Sequence, residues 1–206
     1  MRGSAQNGHC LKCQIEAKRM FNMRVIAGSK KGHALKAVPG KTTRPTTDKI
    51  KESLFSIIGP FFDGEKVLDL FAGSGGLGIE ALSRGAGEAV FIDQASLAVK
   101  TVKENLTACR LENQAVVYRN DAMRALKIFQ KNEEVFDLVF LDPPYKKQQL
   151  AKILTFLDEA NLVSDGALVV CEYEKDDALP DAIGRFTKTR EVNYGITVLS
   201  IFKFEE

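Results

Sequence analysis

Between residues 66 and 173, short apolar runs alternate with stretches of helical period, and that alternation restricts the fold more than any other feature of the chain. Strands are expected at 67–71, 89–92, 115–118, 135–141 and 167–173, and helices at 78–84, 96–111, 122–130 and 149–160. Regular strand–helix alternation requires a parallel sheet with helices on both faces, so the class is α/β. The tail breaks the rule. Runs at 187–192 and 196–204 are separated only by Asn193-Tyr194-Gly195, too short for a helical crossover, so they form a hairpin and the sheet ends antiparallel. Five parallel strands and this hairpin make a mixed sheet of seven.

Upstream, 24–28 and 34–38 read as two short strands around a Gly/Lys turn, and Asp48 opens a helix that Gly59-Pro60 ends. Three segments result: 1–22, a leader or vector-derived stretch expected to be disordered; 23–60, a basic hairpin and helix; and 61–206, the catalytic body. The total of 29 Lys/Arg against 27 Asp/Glu hides an asymmetry. Residues 24–51 hold eight Lys/Arg and one acid, net +7, whereas 52–206 hold 17 Lys/Arg and 25 Asp/Glu, net −8. A basic arm on an acidic body points to a polyanion held at one end, with Arg24, Lys30, Lys31, Lys36, Lys41 and Arg44 as candidate phosphate contacts. Arg44-Pro45-Thr46 suits a second role equally, ordering its segment over a ligand pocket. No apolar run reaches membrane-spanning length and no secretory signal is evident, so a cytoplasmic protein is expected. Cys109 and Cys171 fall in a predicted helix and strand and read as buried free thiols. Cys10 and Cys13 form one CxxC pair with no second ligand pair, and no metal site is expected.

Asp69-Leu70-Phe71-Ala72-Gly73-Ser74-Gly75-Gly76-Leu77-Gly78 closes the first core strand and opens a helix, with glycines 73, 75 and 78 in G-x-G-x-x-G spacing. Backbone in such a loop comes close to a ligand beneath a helix N-terminus. Asp93 ends the next strand, where a carboxylate can take both hydroxyls of a ribose, and Gln94 follows it. Asp121 ends the third strand, where a carboxylate can meet an adenine edge, and Ala122 opens the next helix. Asp69 is placed either to reach an amino group of the ligand or to cap the loop. These residues specify an adenosine cofactor and leave NAD(P) and S-adenosylmethionine both open.

The fourth strand ends in Asp142-Pro143-Pro144-Tyr145. Two prolines stiffen the turn and remove two backbone donors. What remains is a carboxylate, free carbonyls and an aromatic ring, a site for a flat ligand bearing an amino group. A dehydrogenase would want His or Lys beside the nicotinamide, and both histidines, His9 and His33, lie outside the core segments.

With the glycine loop after the first core strand and Asp142–Tyr145 after the fourth, the chain resembles the class I S-adenosylmethionine-dependent methyltransferases, and among them the amino-methyltransferases with Asn/Asp-Pro-Pro-Tyr/Phe. Arg24-Val25-Ile26-Ala27-Gly28, Arg44-Pro45-Thr46 with Asp48, and Leu54-Phe55 narrow the resemblance to the bacterial small-subunit (16S) ribosomal RNA guanine-N2-methyltransferases, over roughly residues 23–206. The resemblance implies a Rossmann-like seven-stranded sheet and S-adenosylmethionine as cofactor. It implies cofactor contacts from Asp69, Phe71, Ala72, Gly73, Ser74, Gly75, Gly78, Asp93, Gln94, Asp121 and Ala122. Catalysis would fall to Asp142, Pro143 and Tyr145, on a guanine of RNA in a small ribosomal subunit or its precursor. Three other readings carry different expectations. A DNA N6-adenine methyltransferase would share both motifs. An NAD(P)-dependent oxidoreductase would share only the glycine loop. A non-enzymatic RNA-binding protein would leave both motifs without a purpose.

Overall fold

The computed structural model describes residues 23–39, 48–143 and 147–205. Its centre is an eight-stranded sheet. β3 (Lys66–Asp69), β4 (Glu88–Asp93), β5 (Ala115–Arg119), β6 (Phe136–Leu141) and β7 (Val163–Glu174) run parallel. β10 (Thr197–Phe204) pairs antiparallel with β7 on one side and β9 (Phe186–Tyr194) on the other. With β8 (Ala182–Ile183), the order across the sheet is β5-β4-β3-β6-β7-β10-β9-β8. All seven expected strands are present, and β8 is the addition. Its two residues pair with Thr187 and Phe186 around Gly184 and Arg185, too short a run to show any period.

The sheet carries helices on both faces because β4 and β6 are apolar on both. One face packs Leu68, Val90, Val139 and Leu141 under α4 (Ala122–Lys131) and α5 (Lys147–Glu159). The other packs Val67, Phe91 and Phe140 under α1 (Asp48–Ile58), α2 (Gly76–Ser83) and α3 (Ser96–Cys109). α1 contributes Leu54 and Phe55, both fully buried, with the Phe55 ring 5.9 Å from that of Phe140. α3 is two residues shorter than expected, because Arg110 turns left-handed at φ 54° and ends it. Cys109 and Cys171 are buried free thiols, as expected; Cys10 and Cys13 lie outside the described residues.

The N-terminal hairpin departs most from expectation. Only β1 (Met23–Arg24) and β2 (Ala34–Leu35) pair, in two registered positions. Beyond them Val25 N–H still meets His33 O at 2.9 Å and Gly32 N–H meets Val25 O at 2.8 Å, but Ile26, Ala27 and Ser29 turn their N–H groups to α2. Ile26 and Ala27 donate their N–H groups to Oε2 and Oε1 of Glu80, at 2.8 and 2.9 Å. Ser29 N–H reaches the Ser83 carbonyl at 2.7 Å, and the Ser83 hydroxyl donates to Ala27 O. Gly28, at φ 81°, passes so close that a Cβ there would sit 1.8 Å from the Ser83 carbonyl oxygen.

Glu80 anchors this contact from a fully buried position. Its carboxylate also meets Arg84 Nε at 2.8 Å and Lys51 Nζ at 3.2 Å. Lys51 Nζ in turn donates to the Arg24 carbonyl at 2.6 Å. The Arg84 guanidinium stacks 4.7 Å from the Phe55 ring centroid and donates to the Pro60 carbonyl. Lys51 therefore does not belong to the basic surface. It is 4% exposed, and burial lowers its pKa while Glu80 pulls the other way.

Candidate functional site

The order of the parallel strands reverses at β3: β4 and β5 lie to one side, β6 and β7 to the other. In open α/β sheets ligands bind at such a switch point, beyond the carboxyl ends of the strands. The loop after β3 is held there by both neighbours. Leu70 N–H donates to Phe140 O of β6 at 3.1 Å, and Ala72 N–H to Ile92 O of β4 at 2.9 Å. Gly73 and Gly75 both have positive φ, at 54° and 80°, which makes the tight entry into α2. Gly78 answers to packing instead, since a Cβ there would lie 2.4 Å from the buried Phe91 ring.

The predicted cofactor residues converge around this loop. Asp93 accepts from Gly73 N–H at 2.9 Å through one carboxylate oxygen and from Ala95 N–H at 2.8 Å through the other. Each oxygen keeps a lone pair for a further donor. Asp121 caps α4, accepting from Arg124 N–H, and receives the Gln94 side-chain amide at 3.3 Å. Arg119 holds the Gln94 carbonyl at 3.1 Å. Phe71 is half-buried within the loop, and Ala72 and Ala122 are buried. Ser74 gives its carbonyl to Asn105.

Asp69 is 4% exposed and accepts from Gly78 N–H at 3.2 Å, so the structure shows it capping the loop. Burial pushes its pKa up to about 7, opposed by the Gly78 bond and reinforced by the negative charges of Asp142 and Asp93. An unfolded chain would ionise this carboxyl near 3.8, so between there and about 7 the folded state holds the extra proton. The ligand-free protein should therefore lose stability as pH rises through that window and level off above it. The full effect is about 4 kcal/mol. Urea unfolding of wild type and Asp69→Asn checks this. The variant should gain on wild type from about pH 4 to about pH 7, and a constant difference would refute the assignment.

Asp142 follows β6, exposed, with Pro143 half-buried beside it; Pro144 and Tyr145 lie outside the described residues. β6 pairs with β3, Phe140 opposite Asp69, so Asp142 and the glycine loop follow adjacent strands. Aspartates thus stand at or just beyond the ends of four neighbouring strands: Asp69, Asp93, Asp121 and Asp142. That set suits a ligand carrying positive charge and opposes a pyrophosphate. Among the described residues no group of three or more His, Cys, Asp or Glu could hold a metal. The cavity of about 230 Å³ lined by Ile58, Phe61, Asp137 and Leu168 lies at the opposite end of the strands and contains none of these residues.

Of the candidate phosphate contacts, Arg24 and Lys36 are exposed and paired with Asp48 and Glu104, at 2.8 and 2.7 Å. Such surface pairs are weak and exchangeable. Lys31 is exposed and Lys30 half-buried in the turn between them; Lys41 and Arg44 lie outside the described residues. Two residues of the site region escaped the sequence reading. Glu80 had a signal, a lone acid within Ile79-Glu80-Ala81-Leu82 with Arg84 one turn on. Asn105 had none.

A family model described as Conserved hypothetical protein 95 matches residues 23–203. YlbH of Bacillus subtilis is 53% identical over 181 residues, 88% of this chain and 98% of that one. Ribosomal RNA small subunit methyltransferase D of Haemophilus influenzae is 37% identical over 158 residues, covering 76% and 81%. The solved structure of the Escherichia coli methyltransferase yhhF superposes with a TM-score of 0.78 at 30% identity, over 90% of this chain and 99% of that one. The chain belongs to the family of the small-subunit ribosomal RNA methyltransferase D proteins, on a class I methyltransferase fold.

Proposed function

We propose that this protein transfers a methyl group from S-adenosylmethionine to the exocyclic N2 amine of a guanine in small-subunit ribosomal RNA. The observation that carries the reading is the pairing of β3 with β6, which sets Asp142 beside the glycine loop. The relatives' names supply the substrate class, and the acidic strand ends favour a cationic cofactor over a dinucleotide. The choice of guanine N2 over adenine N6 rests on the resemblance of the 24–28 and 44–48 motifs.

S-adenosylmethionine, when bound, supplies an activated methyl group on a sulfonium. The glycine backbone would lie under its methionine part and Asp93 would accept its ribose hydroxyls. Asp121 and Gln94 would face the adenine. On the substrate side, the unstacked guanine enters next to Tyr145. Its N2 donates hydrogen bonds to the Asp142 carboxylate and the Pro143 carbonyl, which frees the nitrogen lone pair from the ring. Methyl transfer would then form the nitrogen–carbon bond as the carbon–sulfur bond breaks, with S-adenosylhomocysteine as the leaving group. The surplus proton passes to Asp142 or directly to water. With the methyl already activated, catalysis is mostly positioning and electrostatics. An RNA substrate of this kind places the work in the cytoplasm, where ribosomes are assembled.

The test uses small ribosomal subunits from cells lacking this protein. Incubation with purified enzyme and isotopically labelled methyl donor, followed by nucleoside mass spectrometry, should yield N2-methylguanosine at one position. Label in N6-methyladenosine, or in DNA offered alongside, would assign a different amine and overturn the reading.

A further inference from the structure

Asn105 is 1% exposed on α3, and its side-chain amide joins two parts of the molecule that are far apart in sequence. Its Nδ2 donates to the Ser74 carbonyl in the glycine loop at 2.9 Å and to the Lys36 carbonyl in the basic hairpin at 3.0 Å. Its Oδ1 accepts from Lys36 N–H at 2.8 Å. An amide nitrogen has two hydrogens, so both are committed, and reversing the group would set oxygen against two carbonyls. A second contact runs parallel to the first: the Ser74 hydroxyl meets Met23 Sδ at 3.8 Å, and Met23 Cε lies 3.6 Å from where a Cβ on Gly76 would stand. Within itself the hairpin has two registered pairs and the Val25–His33 and Gly32–Val25 backbone bonds, and two-stranded ribbons of that size are not stable alone. Its order therefore depends on what α2 and α3 offer it.

We propose that Asn105 is a positioning residue through which the cofactor loop and the basic hairpin stabilise each other. A cofactor seated on residues 73–75 fixes the Ser74 carbonyl, which fixes the amide, which fixes the backbone of Lys36. By linkage the effect runs both ways, so a polyanion gripping the hairpin tightens the cofactor site. The biological meaning rests on the proposed roles of S-adenosylmethionine and of the hairpin as RNA contact, but the test needs no RNA.

Amide hydrogen exchange is measured with and without saturating S-adenosylhomocysteine, in wild type and in Asn105→Asp. The variant keeps the shape and the acceptor for Lys36 N–H, and loses both donors. In wild type, bound S-adenosylhomocysteine should slow exchange at Lys36, Val25 and Gly32 by about fivefold or more. In Asn105→Asp the same occupancy should leave those amides unchanged. Unaltered exchange in liganded wild type overturns the coupling without recourse to any variant, and equal slowing in both proteins overturns the role of Asn105. Failure of S-adenosylhomocysteine to bind in a calorimeter would remove the cofactor reading, and the inference with it. Whether the hairpin touches RNA is read separately, from the affinity of Lys36→Ala for small subunits.

Discussion

Replacing Asp142 with Ala should lower kcat for methyl transfer by about 10³-fold while cofactor affinity stays close to wild type. The carboxylate is the acceptor proposed to hold the target amine in line with the methyl, and a well-aimed polar partner in a catalytic site contributes about 3–4 kcal/mol. The cofactor side should be spared for a reason specific to this site. Asp142 raises the pKa of buried Asp69, so removing it eases ionisation of the carboxyl beneath the glycine loop. Cofactor affinity near neutral pH should hold or improve. Asp142→Asn keeps one acceptor oxygen and should fall between the two. Single-turnover rates on small subunits, with S-adenosylhomocysteine affinity by calorimetry, separate these effects. Turnover by Asp142→Ala within tenfold of wild type would sink the assignment.

Glu80→Gln should cost about 3–5 kcal/mol of stability, because it leaves two buried cations without their counter-charge. Lys51 and Arg84 are 4% and 6% exposed, and Glu80 is their shared partner. The amide nitrogen of Gln would in addition point at one of the N–H groups of Ile26 or Ala27, donor against donor. For a chain of this size the melting temperature should fall by about 10 °C or more. Thermal unfolding checks the size of the loss. Limited proteolysis checks its place, since cleavage within 25–36 should appear before cleavage of the sheet. A variant melting within a few degrees of wild type would show that the network contributes little.

The strands and helices from 66 onward were legible because each is a local pattern: apolar runs of strand length, helical periods, and glycines or prolines between them. The placement of the candidate site was legible for a related reason. Asp69, Asp93, Asp121 and Asp142 each stand at or just past a strand end, and strand ends in a parallel sheet meet on one side whatever the side chains do. What escaped depends on contacts between distant segments. The ladder expected at 24–28 is short because Ile26 and Ala27 bond to a carboxylate 54 and 53 residues away. Lys51 counted as surface charge by sequence, although it belongs to the buried network around Glu80. β8 has no alternation to detect, and nothing local to Asn105 hints that its amide faces two carbonyls.

The close passage of Gly28 over Ser83 bears on how such enzymes can be re-engineered. A basic arm ahead of the sheet, proposed as the RNA contact, invites exchange for another. Here the seam has no clearance for a single methyl group, and it demands two backbone donors spaced to fit one carboxylate. A transplanted arm would have to bring a left-handed glycine and free amides at those places, whatever charges it displayed outside. Retargeting is better attempted by recolouring the exposed positions Lys31 and Lys36 on the existing backbone than by swapping the backbone itself.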